Sequence, residues 1–233
     1  MRSLPQNFAD RRVTVIGLGY VGLTLAVAMA DSGFEVMGVE VRQDVIDMLV
    51  LGEPHFYEPR LKEKLERVVR RGSFRFSREA VASFGSSVYI ITVGTPLDKD
   101  GSIQLRFIEQ ATRQVAAVLR DGDLVVLRST VKLGTARSVV QRVLSETGKR
   151  FDIAVCPERT LEGRALLELH ELPQVIGADA ADLGGAFEGP GARLLAQWRG
   201  AVGMGVEEPL EIRHFPSLAR EEVDRAAEVR VRP

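Results

Sequence analysis

The sequence predicts a doubly wound α/β fold, in which helices cover both faces of a parallel β-sheet. Segments with the composition of strands alternate with segments of helical periodicity over residues 12–155, and this alternation is typical of the architecture. Several strands are apolar almost throughout, as in VYIITV at 88–93 and LVVL at 124–127. Such strands are expected in a parallel sheet that is buried between two helical layers. We therefore expect one full domain built around a single sheet.

The predicted elements follow one another along the chain. The strands are placed at residues 12–16, 34–40, 73–76, 87–93, 123–129 and 151–155, and the helices at 20–31, 44–51, 61–71, 105–120 and 133–147. Apolar and β-branched runs predict the strands, whereas apolar residues three or four apart predict the helices. The third helix shows this spacing at Leu61, Leu65 and Val68. Pro54 and Pro59 oppose regular structure in the loop before it.

This pattern divides the chain into three parts. Residues 1–11 form an N-terminal extension, residues 12–177 form the α/β domain, and residues 178–233 form an irregular C-terminal tail. Glycine and proline recur in the tail without a sustained period, and only residues 216–228 suggest a helix. We expect disorder or loose packing in the tail rather than a second packed domain.

Composition restricts the kinds of partner and site. The formal net charge of -1 gives no general attraction to nucleic acid or to an anionic membrane, so a small, specific ligand is expected. The most apolar stretch, residues 13–30, is interrupted by glycines, and no signal peptide or membrane span is predicted. The single cysteine, Cys156, fits a reducing cytoplasm. His55, His170 and His214 are too scattered for metal ligation, and no metal site is expected.

The first strand–helix junction carries a GxGxxG sequence, GLGYVG. When such a motif ends one strand, opens a helix and precedes a second strand, it is the fingerprint of a dinucleotide-binding Rossmann domain. Gly17 is expected to make the tight turn, Gly19 to leave room for pyrophosphate, and Gly22 to let helix and strand pack closely. Tyr20 and Val21 open the helix, so their N–H groups are expected to face the phosphates.

The acidic residue that ends the second strand indicates which dinucleotide is bound. Glu40 follows Gly22 at the distance expected of the residue that accepts hydrogen bonds from the adenosine ribose hydroxyls. A carboxylate there disfavours the 2′-phosphate of NADP, so NAD is the expected cofactor. Arg42 complicates this prediction, because a guanidinium at that position can pair with a 2′-phosphate or simply lie along the adenine.

Four further segments share a resemblance with a known family. They are ITVGTPLDKDG at 91–101, LRSTVKLGTAR at 127–137, CPERTLEGRAL at 156–166 and LPQVIG at 172–177. Together with the glycine motif they resemble the UDP-glucose/GDP-mannose dehydrogenase family over residues 12–177. CPERT and LRSTVK most resemble the members that oxidise UDP-N-acetylmannosamine. Because ligands of open α/β sheets bind at the carboxyl ends of strands, we expect the segments to meet in one site.

The resemblance implies oxidation of a sugar C6 alcohol to a carboxylate in two hydride transfers to NAD, with a cysteine thioester linking the two steps. It also implies a UDP-sugar substrate and, for full-length members, a homodimer. By matching motifs, Thr130 would hold the hydrolytic water, Glu158 would support substrate or water at the reacting carbon, and Glu162 would act in proton transfer. Thr95 and Pro96 would shape the nicotinamide end of the site. A carboxylate screened from solvent has a pKa shifted towards neutrality, which suits proton transfer.

Parts of the family pattern are not recognisable in this sequence. Family members continue with a central helical domain that forms the dimer and a C-terminal domain that holds the nucleotide sugar, and neither is recognised after residue 177. Cys156 precedes Pro157 at the end of an apolar strand, and it is not expected to be the nucleophile. We interpret the sequence as an N-terminal fragment, arising either from a shifted reading frame or as a short relative that only binds dinucleotide.

Two other functions compete with that of a nucleotide-sugar dehydrogenase. One is a binding module that takes up NAD without turnover. The other is a different Rossmann enzyme, such as a relative of the hydroxyacid or 6-phosphogluconate dehydrogenases, which the CPERTLEGRAL segment disfavours. For an incomplete enzyme we expect NAD binding without turnover.

Overall fold

The computed structural model describes residues 11–99, 101, 103–172 and 176–178 of the chain. The strands in this part are β1 Arg12–Ile16, β2 Glu35–Val39, β3 Phe74–Ser77, β4 Val88–Ile91, β5 Asp123–Leu127, β6 Phe151–Val155 and β7 Gly177–Ala178. The helices are α1 Tyr20–Asp31, α2 Gln43–Val50, α3 Leu61–Arg70, α4 Arg106–Val118, α5 Arg142–Ser145 and α6 Ala165–Glu171. A short 3-10 turn spans Ala82–Phe84, and a π-helical segment, Ala136–Gln141, runs directly into α5.

The strands form one sheet in the order β3-β2-β1-β4-β5-β6-β7. Strands β1 to β6 are parallel, and β7 pairs with β6 in the antiparallel direction. The order of the strands reverses between β1 and β4, which is the switch point where open α/β sheets bind their ligands. The doubly wound α/β fold predicted from the sequence is therefore confirmed, with an antiparallel edge strand that was not predicted.

The register of the strands places their carboxyl ends along one edge. Ile16 of β1 lies opposite Val39 of β2 and Ile91 of β4, and Leu127 of β5 lies opposite Ile91 and Val155 of β6. These are the last residues of their strands. Each segment that follows a strand therefore begins at the same level, so the loops after β1, β2, β4, β5 and β6 can meet above the sheet.

Side-chain alternation along the strands builds a separate core on each face of the sheet. In β5, Leu124 and Val126 belong to the core under α1, α3 and α6, whereas Val125 and Leu127 belong to the core under α4 and α5. Helix α1 is buried at every position from 22 to 30. It packs on the sheet and also contacts α3 and α6, which explains why its sequence is apolar on all sides.

Differences from the predicted elements are concentrated near the site. The helix predicted at 133–147 begins as the π-helical segment only at Ala136, and the strands predicted at 87–93 and 123–129 end at Ile91 and Leu127. Helix α6 was not predicted. The tail prediction beyond residue 178, the helix suggested at 216–228 and residues 1–10 lie outside the described residues. None of the helices in the described part has the length and apolarity needed to cross a membrane.

Candidate functional site

The residues predicted to form the site come together at the carboxyl edge of the sheet. The glycine turn follows β1, Glu40 follows β2, Thr95 follows β4, Thr130 follows β5 and the segment 156–164 follows β6. Because these strands are neighbours in the sheet, the five loops line one continuous edge. This arrangement fits an extended site that binds a dinucleotide at one end and a substrate at the other.

The three glycines of the turn have different surroundings. Gly17 adopts a φ of +92°, which favours glycine, and a Cβ on it would lie 3.0 Å from Val93 Cγ1. A Cβ on Gly22 would lie 1.9 Å from the carbonyl oxygen of Gly17, so no side chain fits between α1 and the turn. A Cβ on Gly19 would have no atom within 4 Å. The open space above Gly19 is where a ligand can approach the backbone.

The start of α1 is suited to an anionic group. Gly19 is the N-cap residue, no side chain caps the helix, and the first turn contains no acidic residue. The positive end of the helix dipole and the first N–H groups of the helix, including those of Tyr20 and Val21, are therefore not compensated by a side-chain cap. These features fit the pyrophosphate of a dinucleotide.

Glu40 lies directly beside this turn. Its carboxylate accepts hydrogen bonds from the backbone N–H groups of Leu18 and Arg42, both at 3.0 Å. A carboxylate has about four acceptor positions, so these two bonds leave room for ribose hydroxyls. Arg42 forms an exposed ion pair with Asp44, whose Oδ1 lies 3.3 Å from Nε. That pairing raises the pKa of Arg42 and lowers that of Asp44, so the Arg42 guanidinium is already paired with a carboxylate.

The loops after β4 and β5 are tied to each other. Thr95 Oγ1 donates to the carbonyl of Thr130 at 2.9 Å, and Ser129 Oγ donates to the carbonyl of Val93 at 2.7 Å. Thr130 is exposed in the loop after β5, and Pro96 is exposed in the loop after β4. Thr95 and Thr130, which were singled out from separate motifs, are thus brought into contact.

Glu158 forms a buried ion pair with Arg128. Its Oε2 lies 2.6 Å from Nη2 and 3.0 Å from Nε of Arg128, while its Oε1 accepts the N–H groups of Arg159 and Thr160 at 2.7 and 2.8 Å. Burial opposes the charged form, but the guanidinium and the two N–H groups outweigh it and hold the pKa of Glu158 below its usual value. Glu158 is therefore expected to be ionised at neutral pH, with both carboxylate oxygens engaged in hydrogen bonds.

Arg128 was not identified as a site residue from the sequence. Its side chain is fully buried, with 0% exposure, and its Nη1 lies 3.1 Å from Cys156 Sγ and 3.4 Å from the Cys156 carbonyl. A charged residue directly after the apolar strand LVVL was the available signal, because such a residue is rarely buried unless it is paired. Burial raises the pKa of the Cys156 thiol, which makes it a poor nucleophile.

Glu162 lies in a different environment from Glu158. It is exposed, in the turn that precedes α6, and the segment between the two acids is not helical. The two carboxylates therefore do not share a helix face, which their spacing of four would have required. The proton-transfer role suggested a carboxylate screened from solvent, but among the described residues Glu162 is exposed.

A second buried acid, Glu58, was also missed. It lies in the loop between α2 and α3, is 4% exposed, and accepts a 2.5 Å hydrogen bond from the hydroxyl of Tyr20. It also accepts the N–H groups of Gly163 and Leu166 at 2.9 and 3.3 Å. The sequence provides little indication of this role, because GEPHFYEP predicts only a loop. The structure makes this loop part of the support for the segment after β6.

The histidines are separated in the described part of the chain. His55 lies in the loop between α2 and α3 and His170 lies in α6, whereas His214 is outside the described residues. Among those residues, no three His, Cys, Asp or Glu side chains are grouped in a way that could hold a metal ion.

Comparison with known proteins gives consistent matches over the same region. The model of the UDP-glucose/GDP-mannose dehydrogenase family, NAD binding domain, matches residues 11–188. The UDP-N-acetyl-D-mannosamine dehydrogenase of Pyrococcus horikoshii is 36% identical over 170 residues, which are 71% of this chain and 40% of that protein. The Escherichia coli enzyme of the same name is 34% identical over 176 residues, 71% of this chain and 41% of that protein.

Solved structures extend this likeness to three dimensions. A UDP-glucose dehydrogenase from Pyrobaculum islandicum superposes with a TM-score of 0.75 at 36% sequence identity, covering 85% of this chain and 46% of that one. The chain spans 40% and 41% of the two curated relatives described above. The residues that match the family model include the glycine turn and all the strand-end segments.

Proposed function

Because the chain belongs to the UDP-glucose/GDP-mannose dehydrogenase family, whose NAD-binding domain it provides, we propose that residues 12–177 bind NAD and form one half of a site that oxidises a UDP-sugar. In the full-length enzyme the sugar C6 alcohol becomes a carboxylate. NAD bound at the glycine turn supplies the hydride acceptor for each of the two oxidation steps. The observation that carries this proposal is the meeting of the glycine turn with the Glu158–Glu162 segment at one edge of the sheet.

The cofactor end of the site is assigned to the first two strands. The N–H groups of Tyr20 and Val21 bind the pyrophosphate above the open space at Gly19, and the Glu40 carboxylate accepts the ribose hydroxyls. Arg42, held by Asp44, lies along the adenosine rather than reading a 2′-phosphate. These assignments favour NAD over NADP.

The reacting end is assigned to the next three strands. Thr95 and Pro96 flank the nicotinamide, and Thr130 at the end of β5 orients the hydrolytic water. Glu158 acts as a fixed acceptor for substrate or water, since its pairing with Arg128 lowers its affinity for a proton. Proton transfer during hydrolysis of the acyl intermediate therefore falls to Glu162, once substrate or a further part of the enzyme covers it.

The names of the relatives support a proposal for the substrate. Two curated relatives are named for UDP-N-acetyl-D-mannosamine, and the CPERT and LRSTVK motifs point to the same sugar, so we propose UDP-N-acetylmannosamine. We also propose that the full-length enzyme is a homodimer and works in the cytoplasm, where the Cys156 thiol stays reduced. Cys156 is buried beside Arg128, so the acyl-carrying thiol is a different residue of the full-length enzyme.

Calorimetry on the 233-residue chain tests the proposal. We expect saturable binding of NAD, and binding below detection in Gly19→Val, because a branched side chain would fill the space that the pyrophosphate needs. Nothing lies within 4 Å of a Cβ at this position, so the unfolding midpoint of Gly19→Val should match that of the parent chain and serves as the control. Unchanged affinity for NAD in the folded variant would contradict the assignment of the turn.

The same protein distinguishes binding from turnover. With UDP-N-acetylmannosamine and NAD, we expect no sustained formation of NADH by this chain, because the buried Cys156 cannot carry the acyl group. Two-step turnover by the isolated chain would overturn this assignment, whereas failure to bind NAD would overturn the proposal for residues 12–177 as a whole.

Glu40 is expected to determine the choice of dinucleotide. In Glu40→Ala the loss of hydrogen bonds to a charged acceptor, worth about 1.5–3 kcal/mol, should weaken NAD binding by about 10- to 150-fold. NADP should be affected less, because the repulsion of its 2′-phosphate is removed at the same time. The measurement is the ratio of the two dissociation constants, and Glu40→Gln, which keeps an acceptor but no charge, should fall between. An unchanged ratio in Glu40→Ala would show that selectivity resides elsewhere.

A further inference from the structure

The loop between α2 and α3 reaches the site through a single buried acid. Glu58 accepts three hydrogen bonds, from the Tyr20 hydroxyl and from the backbone N–H groups of Gly163 and Leu166. Tyr20 belongs to the glycine turn, whereas the two N–H groups belong to the segment after β6. Glu58 thus contacts both the glycine turn and the segment after β6, although it belongs to a third loop.

Tyr20 makes a second set of contacts with the same segment. Its hydroxyl accepts the N–H of Gly163 at 2.9 Å and lies 3.4 Å from the carbonyl of Leu161. Leu161 and Gly163 are the two neighbours of Glu162. Because the single hydroxyl proton is donated to Glu58, the Leu161 carbonyl is a neighbour rather than a partner, and the Leu161 N–H donates to Glu168 at 2.7 Å. The side chain of a residue in the dinucleotide turn therefore holds the backbone directly after the proposed proton-transfer residue, at Gly163.

The chemistry of these groups makes the attachment stable. The Tyr20 ring packs against Phe56 with a centroid separation of 5.0 Å. Burial and the hydrogen bond to Glu58 raise the pKa of Tyr20 to about 12, so the hydroxyl keeps its proton and remains a donor to the carboxylate at neutral pH. A buried carboxylate needs such partners, and the three donors supply them.

We propose that Glu58 is a positioning residue that, through Tyr20, fastens the backbone around Glu162 to the dinucleotide turn, so that NAD bound at the turn and an ordered Glu162 segment stabilise each other. The inference rests on the proposed function for the turn and for Glu162. Because coupling between two sites is reciprocal, each must affect the other by the same factor. Glu58 is 4% exposed, so we expect it to act through Tyr20 and the backbone rather than by direct contact with a ligand.

A purely structural role makes a different prediction. If Glu58 only caps the start of α6 through Leu166, it would stabilise the fold to the same extent with and without NAD. The effect of NAD on the Glu162 segment would then not depend on the Tyr20 hydroxyl. Tyr20→Phe separates the two cases. It removes the hydroxyl but keeps the ring against Phe56 and the hydrogen bonds that the N–H groups of Gly163 and Leu166 donate to Glu58.

Amide hydrogen exchange on the 233-residue chain, with and without saturating NAD, is the test. In the parent chain we expect NAD to slow exchange at least fivefold in peptides covering residues 160–166. Tyr57→Phe is the control, because Tyr57 adjoins Glu58 but is 82% exposed, and it should behave as the parent does. In Tyr20→Phe the slowing should fall below twofold, and both Tyr20→Phe and Glu58→Gln should bind NAD about three- to fivefold more weakly by calorimetry.

The outcomes separate this inference from the function on which it rests. Equal NAD-dependent slowing in Tyr20→Phe and the parent chain would overturn the coupling and leave NAD binding intact. So would binding of NAD by the parent chain with no change in exchange at residues 160–166. Absence of NAD binding in the parent chain would instead overturn the proposed function, and the inference with it.

Discussion

Replacing Gly22 with alanine is expected to destabilise the domain by about 3 kcal/mol or more, at the upper end of overpacking substitutions. The added Cβ would lie 1.9 Å from the Gly17 carbonyl oxygen and 2.6 Å from Thr92 Oγ1. Neither atom can easily move away, because Thr92 Oγ1 donates to that same carbonyl at 2.7 Å. Relief would require α1 to move off the sheet, although residues 22–30 of this helix are all buried.

Gly19→Ala is the matched control within the same turn. Gly19 has a φ of -65°, which any residue adopts, and its Cβ would meet no atom within 4 Å. We expect its free energy of unfolding to stay within about 0.5 kcal/mol of the parent value, as for ordinary surface substitutions. Denaturant unfolding of both variants gives the comparison. If Gly22→Ala unfolded at the same denaturant concentration as Gly19→Ala, the close approach of helix and turn would not be the reason for glycine at this position.

Local patterns were sufficient for the elements that support the site. The bounds predicted for β1, α1 and β6 agree with those observed, because an apolar run next to a glycine turn or a loop determines them within a few residues. The strand order was not predicted, but parallel strands joined by crossover connections all end at the same edge of the sheet. In consequence, the edge on which the loops meet could be predicted before any contact was known.

Contacts between distant parts of the chain could not be predicted in this way. Arg128 is 30 residues from Glu158, and Glu58 is 105 residues from Gly163, so neither pair leaves a periodic signal. Helix α6 is short, and the N–H of Leu166 in its first turn is satisfied by Glu58 from a remote loop. Among the described residues, strand β7 forms only two pairs with β6. Such elements depend on the folded context rather than on propensity.

Arg128→Met is expected to be the most damaging of the site substitutions that leave the backbone unstrained. It removes the partner of Glu158, whose side chain is only 9% exposed, while methionine keeps an apolar stem in place of the aliphatic part of arginine. Breaking a buried ion pair by removing one partner typically costs about 3–5 kcal/mol, because an uncompensated charge is left behind. Glu158→Gln in addition should recover most of that loss, since a neutral amide needs no counter-charge.

The effect of Arg128→Met should also depend on pH in a defined direction. In the parent chain the pKa of Glu158 is lowered from its usual 4.5, so the stability that this pair contributes is present above that value and is lost as the pH falls through the lowered pKa. In Arg128→Met the unpaired, buried carboxylate should have a raised pKa, so protonation stabilises the variant as the pH falls. Both pKa shifts therefore reduce the difference in free energy of unfolding between the parent chain and Arg128→Met at acidic pH. Free energies of unfolding at pH 7 and pH 4 provide the measurement, and a difference that is constant or larger at pH 4 would mean that Glu158 does not depend on Arg128 for its charge.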